Sequence, residues 1–416
     1  MSINLYPPLG FSPAYPSYVQ LGGTQVDAFG RLRVSNPYTL FDSQNRYEAD
    51  PQFSASTATG GTATYNTNTK AVDLAVTTSS GSEVVRQTKR VFTYQPGKSL
   101  LVMATFVMNA AKTNLRQRVG YFNADNGIFF QVADTTKSFI IRTKTSGTAS
   151  DARKVDQSAW NGDKLDGTGP SGITLDVTKT QILFIDMEWL GVGTVRCGFI
   201  INGQYIVCHT FNNANSQTAV YMQTAILPVR YEITNTGATA SSSTLNQICS
   251  TVISEGGYGE LSRTFVARLA TKTNIGTTFE PIVSIRLNSS YLGAVVIPSG
   301  VAFFPEDTGY YNVALIRNAT LTGATWGATL ADGQVDVDTG ATAMTFAESD
   351  IIQLNYVNAS NQSSTPLTAS AGYNWGLQLG VTASGTSDIY TLAACIDSGT
   401  GDVLGNISFW CLTDGA

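Results

Sequence analysis

Two carboxylates on one short segment offer the most chemistry in this chain. Asp186 and Glu188 alternate in the run Phe-Ile-Asp-Met-Glu-Trp at residues 184–189. Side chains two residues apart point to the same face of a β-strand, so Phe184, Asp186 and Glu188 would line one face while the residues between them pack inward. Retaining glycosidases need two carboxyl groups about 5–5.5 Å apart, one as nucleophile and one as acid/base. The alternation by itself predicts a strand with one polar face.

Histidine and cysteine chemistry is scarce in this sequence. His209 is the single histidine and directly follows Cys208, and no aspartate or glutamate lies near it along the chain. The five cysteines are widely spaced and include no CxxC pair. This usage is typical of mostly buried, reduced thiols in a protein made in the cytosol. We therefore predict no catalytic residue, no bound metal and no cofactor.

Two charged clusters have both a functional and an ordinary interpretation. Asp332, Asp336 and Asp338 lie on a predicted loop, and oxygen-rich loops can hold calcium. Their spacing is not that of an EF-hand, however, and Asp-Gly is common turn chemistry, so we expect no calcium there. The modest basic cluster of residues 86–90 is expected on a solvated strand edge, where charge opposes unwanted strand pairing.

Several aromatic residues lie in loop-like contexts and are predicted to be exposed. Aromatic loops stack on sugars, and they also anchor contacts between subunits. The sequence leaves both roles open. The predicted aromatics are Trp160, Tyr310, Tyr311 and Trp326.

The composition predicts an all-β fold. Only 13% of the residues are charged, compared with about 25% in typical soluble proteins. Short apolar runs recur between Gly, Asn, Asp and Pro without helical periodicity or a long internal repeat, which is typical of β-sandwiches. A chain of 416 residues exceeds one comfortable core. We expect two sandwich or jelly-roll-like domains behind an extended N-terminal arm.

Three regions are predicted from the distribution of proline and glycine. Residues 1–50 contain five prolines, which disfavour a helix or a central strand, and their aromatic content favours docking over a disordered tail. We predict a docking arm at residues 1–50 and a concanavalin-like jelly-roll domain at residues 51–255. The flexible run Glu-Gly-Gly-Tyr-Gly at residues 255–259 marks a boundary, and residues 256–416 would form a C-terminal β-sandwich.

One hairpin can be placed to the residue. Asn202-Gly203 lies between two apolar runs and favours a two-residue type I′ turn, which needs positive φ at both positions. Continuing outward from that turn, an unbroken ladder would place Cys197 opposite Cys208. Directly opposite residues have Cα atoms about 5.5 Å apart, within the range of a disulfide. The pair is either a disulfide or two reduced neighbours in a core, and a cytosolic origin favours the reduced pair.

The charge and hydropathy patterns argue against two classes of partner. The net charge is −5 and the isoelectric point is near 5.0, so the surface would repel a phosphate backbone. No stretch reaches 18 consecutive apolar residues, and the N-terminus lacks the basic and apolar regions of a signal peptide. We expect neither nucleic-acid binding nor membrane insertion.

Residues 173–211, ITLDVTKTQILFIDMEWLGVGTVRCGFIINGQYIVCHTF, resemble the core strands of concanavalin-like jelly rolls, and the likeness extends over residues 70–250. Retaining glycoside hydrolases of the laminarinase and carrageenase type share this fold and carry Glu-x-Asp-x-Glu on a strand. Their first Glu is the nucleophile and their last is the acid/base. Asp186 and Glu188 match the last two positions, but Phe184 occupies the nucleophile position. The resemblance therefore implies the fold without that activity.

A second resemblance concerns the N-terminal region. GTQVDAFGRLRVSNP (23–37) and TLFDSQNRYEADPQF (39–53) resemble N-terminal segments of structural proteins of tailed bacteriophages. This implies a non-catalytic virion protein, assembled in the host cytoplasm and placed in the tail, the baseplate or the capsid surface. Its partners would be other virion proteins and copies of itself. The alternatives are a receptor- or glycan-binding virion protein that recognises a host-surface glycan and, third, a polysaccharide depolymerase.

Overall fold

The computed structural model describes residues 36–259, 262–359, 365–368 and 375–413. Most of the predicted arm, residues 1–35, lies outside the described residues. The described chain is almost entirely β-strand, with three short 3-10 helices at Gln157–Ala159, Glu348–Asp350 and Trp375–Leu377. Among these residues, no helix is long and apolar enough to span a bilayer. The all-β prediction with several sandwich-forming sheets is confirmed.

The first sandwich is built from fifteen strands. They are β1 (Tyr38–Gln44), β2 (Phe53–Ala58), β3 (Thr62–Asn66), β4 (Ala71–Val76), β5 (Glu83–Thr88), β6 (Leu100–Val107), β7 (Leu115–Phe122), β8 (Gly127–Ala133), β9 (Thr136–Thr143), β10 (Ser150–Asp156), β11 (Gln181–Met187), β12 (Val195–Ile201), β13 (Gln204–Phe211), β14 (Val229–Asn235) and β15 (Ser243–Ser254).

Two antiparallel sheets form this sandwich. The eight-stranded sheet has the order β13-β12-β11-β6-β15-β4-β3, and β1 also pairs with β15. The seven-stranded sheet has the order β10-β9-β8-β7-β14-β5-β2. Strand β15 is long enough for β4 to pair with its first half and β1 with its second half. Strand β1 therefore belongs to the sandwich, which moves residues 38–50 out of the predicted arm.

Alternating apolar residues of the facing sheets fill the core between them. In β6, Leu100, Val102, Ala104 and Phe106 are all buried, as expected for a strand with one face turned inward. Phe130 of β8 meets this row from the opposite sheet, with its ring centroid 6.4 Å from that of Phe106. The burial of alternate residues fixes which face of each strand turns outward.

The second sandwich comprises the remaining strands. They are β16 (Arg263–Arg268), β17 (Thr273–Ile275), β18 (Glu280–Leu287), β19 (Val296–Pro305), β20 (Gly309–Arg317), β21 (Thr320–Thr322), β22 (Ala328–Leu330), β23 (Val335–Asp338), β24 (Ala343–Thr345), β25 (Ile351–Ala359), β26 (Thr365–Thr368), β27 (Ile389–Ile396) and β28 (Gly401–Cys411).

These strands form a five-stranded sheet, a six-stranded sheet and a small ribbon. The five-stranded sheet has the order β16-β28-β19-β26, with β17 also pairing with β28. The six-stranded sheet has the order β22-β23-β18-β27-β20-β25, and β21 pairs with β24 in the ribbon. A core that includes Ile285, Phe303, Val313, Leu392 and Phe409 lies between the two larger sheets.

The two sandwiches contact one another directly. Val295 and Ile297 of the second sandwich are buried within the core cluster of the first, and Trp410 packs against it. Backbone hydrogen bonding adds to this contact, since Val381 N donates to Lys89 O at 2.7 Å. The chain passes from one sandwich to the other between β15 and β16.

Candidate functional site

Strand β11 carries the carboxylates that the sequence singled out. Leu183, Ile185 and Met187 are buried in the core of the first sandwich, so the alternate residues Phe184 and Asp186 lie on the outer face of the eight-stranded sheet. The predicted division of this strand into two faces is confirmed.

Phe184 is 2% exposed although it lies on the outer face. Gly198 of β12 is its cross-strand neighbour, and a glycine leaves space there that the ring occupies. Tyr205 of β13 covers it from the side, with ring centroids 5.1 Å apart and planes inclined at 67°. The result is a fixed aromatic pair whose outer member, Tyr205, remains 55% exposed.

The Asn202-Gly203 turn presents Tyr205 to this face. Both residues have positive φ, at 53° and 75°, and Ile201 pairs with Gln204 as predicted. The type I′ hairpin is therefore confirmed.

The predicted cysteine register is wrong beyond Gly198. A β-bulge between Cys197 and Gly198 inserts Cys208 as an extra residue, so Cys197 pairs with His209 instead. A bulge places two residues of one strand opposite one residue of its neighbour. The residues of β13 after the bulge therefore face the side opposite to the one that an unbroken ladder would give them. Both cysteines are buried free thiols. Burial raises the pKa of Cys208 to about 12 and raises that of Cys197 well above its ordinary value.

His209 is turned inward by the bulge. Its ring lies 4.4 Å from that of Phe211, centroid to centroid, and its Nδ1 accepts a hydrogen bond from Asn161 N at 3.3 Å. Burial, followed by the nearby Arg153 guanidinium, lowers the pKa of His209. This histidine is a neutral structural group at neutral pH.

A groove of about 280 Å³ opens on the outer face of the eight-stranded sheet. The aromatic pair Phe184 and Tyr205 forms one side, together with Val207 of the same hairpin strand. Ser99 and Leu101, at the start of β6, form the other. We call this cavity the sheet-face groove.

Charged groups lie at one end of the sheet-face groove. Asp186 and Arg196 are directly opposite each other on β11 and β12 and form an ion pair. Glu255, just beyond β15, also lines the groove and is positioned by its backbone N–H, which donates to Ser99 O at 2.9 Å. The groove therefore combines an aromatic side with carboxylate acceptors and a guanidinium donor.

Glu188 lies outside this groove. Its Oε1 accepts a hydrogen bond from Thr194 N at 3.2 Å across the loop that joins β11 to β12. Asp186 is paired with Arg196, and the place of a nucleophile is filled by the Phe184 ring. The arrangement can bind polar ligands, but it does not present two converging carboxyl groups from β11.

The four predicted exposed aromatics have different environments. Trp160 is 2% exposed in the core, where its Nε1 donates to Val155 O at 3.2 Å, and Tyr311 is 1% exposed. Trp326 is half-buried beneath Arg286, whose guanidinium carbon lies 4.2 Å from the ring centroid. Tyr310 is 66% exposed. Of the four, only Tyr310 is exposed as predicted, and none of them lies in the sheet-face groove.

The aspartates considered for calcium are engaged with protein groups. Asp338 accepts from Thr325 N at 2.6 Å and Gly340 N at 3.1 Å, while Asp336 pairs with Arg286. Asp332 lies in the turn between β22 and β23 with φ of 51°. In the described part of the chain, no group of three or more His, Cys, Asp or Glu side chains has the placement of a metal site.

The basic cluster at residues 86–90 is not the solvated edge that the sequence predicted. Arg86 is 5% exposed, with Nε donating to Gln247 Oε1 at 2.6 Å. Arg90 is 9% exposed and its guanidinium lies over the rings of Phe41 and Phe92. Both guanidinium groups are buried, and aromatic faces and amide oxygens replace the water that would otherwise surround them.

Comparisons with known proteins concern the fold. No protein-family model matches this sequence, and no curated protein matches it. Among solved structures, the Emp47p carbohydrate recognition domain is similar, with 11% identity, a TM-score of 0.32 and coverage of 57% of this chain and all of that one. Arcelin-5, a lectin-like defence protein from Phaseolus vulgaris, is similar at 10% identity and a TM-score of 0.33, over 52% of this chain and 98% of that one.

A carbohydrate esterase, vb_24B_21 from the Shiga toxin-encoding bacteriophage phi24B, is similar at 11% identity and a TM-score of 0.31, over 53% of this chain and 99% of that one. At such identities a likeness concerns the arrangement of strands alone. Of these three structures, one is described as a carbohydrate recognition domain, one as a lectin-like protein and one as a carbohydrate esterase.

Proposed function

We propose that the protein binds carbohydrate through the sheet-face groove and does not cleave it. The observation that carries this proposal is the fixed aromatic pair of Phe184 and Tyr205 beside the Asp186–Arg196 ion pair. A sugar ring has an apolar C–H face and a rim of hydroxyl groups. The exposed Tyr205 ring suits the first, and the carboxylate and guanidinium groups suit the second.

The size of the groove supports a short glycan epitope. Ligand sites are mostly apolar concavities with a few placed polar groups, and those for drug-sized ligands begin at about 300 Å³. The groove has about 280 Å³ and opens to solvent, which fits one or two sugar rings of a longer chain. Most of its lining residues lie on paired strands, so little ordering entropy is lost on binding.

Binding without cleavage is expected from the same residues. General acid and nucleophile must flank the scissile bond in a glycosidase. On β11, Phe184 stands at the position where a nucleophile would be needed, and Asp186 forms an ion pair with Arg196. Glu188 is directed to the Thr194 backbone. The polar groups of the groove act as positioning contacts in this proposal.

A glycan array followed by calorimetry with the best glycan tests this function. Tyr205→Ala should weaken binding at least tenfold, and Asp186→Asn should weaken it less, because an amide keeps one acceptor. Tyr47→Ala is the matched control, since Tyr47 is 91% exposed and lies outside the groove. Equal affinity for the wild type and Tyr205→Ala would reject the groove as the binding site.

A second candidate function, a structural subunit on the exterior of a phage particle, is favoured by one feature of the second sandwich. Strand β25 is an edge strand of the six-stranded sheet, and no described strand pairs with its outer edge. Ile352, Leu354 and Tyr356 project from it in alternation and are all exposed, beside exposed Tyr310 of β20. We call these four side chains the edge patch.

The edge patch is typical of an assembly contact. Natural edge strands usually carry charges that prevent pairing, whereas β25 has nine residues and no charged side chain. Exposed apolar clusters commonly mark interaction surfaces. The phage-like N-terminal segments support the same role. Localising the protein in an imaged particle tests this candidate, and Tyr356→Lys should reduce its incorporation, while Tyr47→Lys should not.

A further inference from the structure

The edge strands of this chain differ in how they are protected from pairing with other strands. Strands β10 and β16 carry charged side chains, and β22 has only three residues. The loop at residues 161–163 covers β13, since Gly162 N and Asp163 N donate to Cys208 O and Val207 O at 2.9 and 3.0 Å. Charge, shortness and coverage are common defences of an edge strand against unwanted pairing.

In the described part of the chain, strand β25 shows none of these three devices. It has nine residues and no charged side chain, and no described strand pairs with its outer edge. Ile352 is an extra residue that interrupts the pairing with β20, but Gln353–Ala359 follow that strand without a break. In an antiparallel ladder, alternate residues turn their N–H and C=O groups away from the paired neighbour. The outer edge of β25 therefore presents a regular row of backbone groups that no described strand pairs.

The charge distribution around β25 suits a second copy of the same strand. A two-fold axis perpendicular to the sheet places two such strands antiparallel, and the same surface of each copy then meets itself. Because β25 is uncharged, this pairing brings no like charges together. Asp350 and Glu348, the nearest charged residues along the chain, precede the strand. In an antiparallel pair, these carboxylates of the two copies lie at opposite ends.

One register of this pairing matches apolar with apolar side chains. With Asn355 on the two-fold axis, Leu354 of each copy lies opposite Tyr356 of the other, which gives two equivalent aliphatic–aromatic pairs. Moving the axis to Tyr356 would place Leu354 opposite Asn358. Moving it to Leu354 would place the extra residue Ile352 opposite Tyr356, where the strand bends. The register centred on Asn355 therefore combines regular strand geometry with apolar contact.

The exposed area at this edge is sufficient for a small, specific interface. Tyr356 is 77% exposed, and Tyr310 on the neighbouring strand β20 is 66% exposed. A fully covered tyrosine buries roughly 150–250 Å², so these two rings offer on the order of 300 Å² per copy. Two copies, with Ile352, Leu354 and the strand backbone, would reach about 1,000 Å², the lower limit of a specific interface.

We propose that two copies of this chain associate through antiparallel pairing of their β25 strands, with Asn355 on the two-fold axis. The six-stranded sheets of the two copies then form one continuous sheet. Their edge patches lie on the same side of that sheet and join into a single apolar surface. This inference deepens the second candidate function, the structural subunit, and rests on the same edge patch.

Light scattering after size-exclusion chromatography of the full chain tests the association. At roughly 100 µM the mass should approach twice the 44.3 kDa of the chain and fall on dilution, as expected for an interface of this size. Tyr356→Lys should raise the dissociation constant about tenfold or more, because the ammonium group would lose hydration opposite Leu354. Tyr47→Lys is the matched control, since Tyr47 is 91% exposed and lies outside the edge patch. A monomer at every concentration, or a dimer unaffected by Tyr356→Lys, overturns the proposal.

Cysteine crosslinking tests the register. Directly opposite residues have Cα atoms about 4.5–5.5 Å apart, within the range of a disulfide, whereas diagonal neighbours are about 7–8 Å apart. A mixture of Leu354→Cys and Tyr356→Cys chains should therefore form a covalent dimer on mild oxidation. Either variant alone should not, because the same position in two copies is diagonal, and these samples also control for the native cysteines. No crosslink in the mixture, or equal crosslinking of a single variant, overturns the pairing.

Failure of this inference is distinguishable from failure of the structural-subunit role. If the chain is monomeric but Tyr356→Lys still reduces incorporation into a particle, the edge patch binds a different virion protein. That result overturns the self-pairing and leaves the structural role in place. If the dimer and its crosslink form but no particle contains the protein, the self-pairing stands without that role.

Discussion

The ring of Phe184 occupies the space that a side chain on Gly198 would need. A Cβ at position 198 would lie 2.8 Å from Phe184 Cε1 and 2.0 Å from Ile206 O. The first contact could relax by movement of the ring, but the second is with the backbone of the neighbouring strand. The aromatic side of the sheet-face groove therefore depends on the absence of a side chain at position 198 of β12.

Gly198→Ala should both destabilise the protein and disturb the groove. Overpacking of this kind costs about 1–3 kcal/mol of unfolding free energy, which urea unfolding would measure. Because Phe184 and Tyr205 would be displaced, the variant should also bind glycan more weakly. Gly327→Ala is the control, because a Cβ there meets nothing within 4 Å and φ is not positive. An unchanged unfolding free energy in Gly198→Ala would contradict the packing described for Phe184.

We predict that the protein releases no reducing ends from polysaccharides that it binds. In the laminarinase-type hydrolases that residues 173–211 resemble, the position of Phe184 holds the nucleophile, and Glu188 accepts a hydrogen bond from the Thr194 backbone here. The measurement is a reducing-sugar assay on glycans selected by the array. Cleavage that falls about a hundredfold or more in Glu188→Gln, the loss expected for a general acid, would show that the protein is an enzyme.

Trp160→Ala should cost about 3–5 kcal/mol of unfolding free energy, the usual range for removing a buried large aromatic side chain. The Trp160 ring lies 4.7 Å from that of Phe139, centroid to centroid, within the first core. Tyr310→Ala, at a site that is 66% exposed, should change the same free energy little. Chemical denaturation of both variants provides the comparison.

Local signals in the sequence predicted local structure well. The Asn202-Gly203 turn and the two faces of β11 are set by φ requirements and strand alternation, both of which act over a few residues. Turn residues surround Trp160 and predict an exposed loop, but the loop folds back so that the ring enters the core. Nothing in the local pattern reveals that return.

The sequence did not predict which residues of the candidate site lie together, because that depends on the pairing of strands far apart in the chain. The sheet-face groove joins Phe184, Arg196 and Tyr205 with Glu255, which lies just beyond β15. Strand order, which decides that β11 lies between β12 and β6, is not encoded in any short run. The bulge at Cys208 is likewise set by how two strands fit over a shared core. The outward-facing charges of Asp186 on β11 and Arg196 on β12 are the one local signal in the sequence that points to this groove.

Cys208 should react very slowly with iodoacetamide in the folded protein at pH 8. The thiolate is the reactive form, and burial raises the pKa of Cys208 from its ordinary 9.0 to about 12. Half-exposed Cys249 should be modified first. Mass spectrometry of peptides after timed alkylation measures both. Rapid modification of Cys208 while Cys249 remains intact would contradict the burial described for the bulge.

The same raised pKa predicts a loss of stability in alkali. The folded state disfavours the Cys208 thiolate, so the unfolded chain loses this proton first as the pH rises. The stability that the protonated Cys208 thiol contributes is fully present below pH 9.0 and is lost as the pH rises through about 12. Urea unfolding across this range should show a decrease that is smaller in Cys208→Ser, measured relative to that variant's own stability at pH 8.

Two N-terminal deletions should separate attachment from folding. Removing residues 1–35 leaves β1 in place, so the protein should remain folded but fail to join a particle if those residues form the docking arm. Removing residues 1–50 takes away β1, including buried Leu40 and Phe41. Each such side chain contributes about 1.5–3 kcal/mol when buried, so this variant should unfold at lower urea concentration than the first.

Thermal and urea unfolding measure stability, and co-sedimentation with particles measures attachment. Normal incorporation of the shorter deletion would assign attachment to another surface, for which the edge patch at Ile352, Leu354, Tyr356 and Tyr310 is the next to be tested.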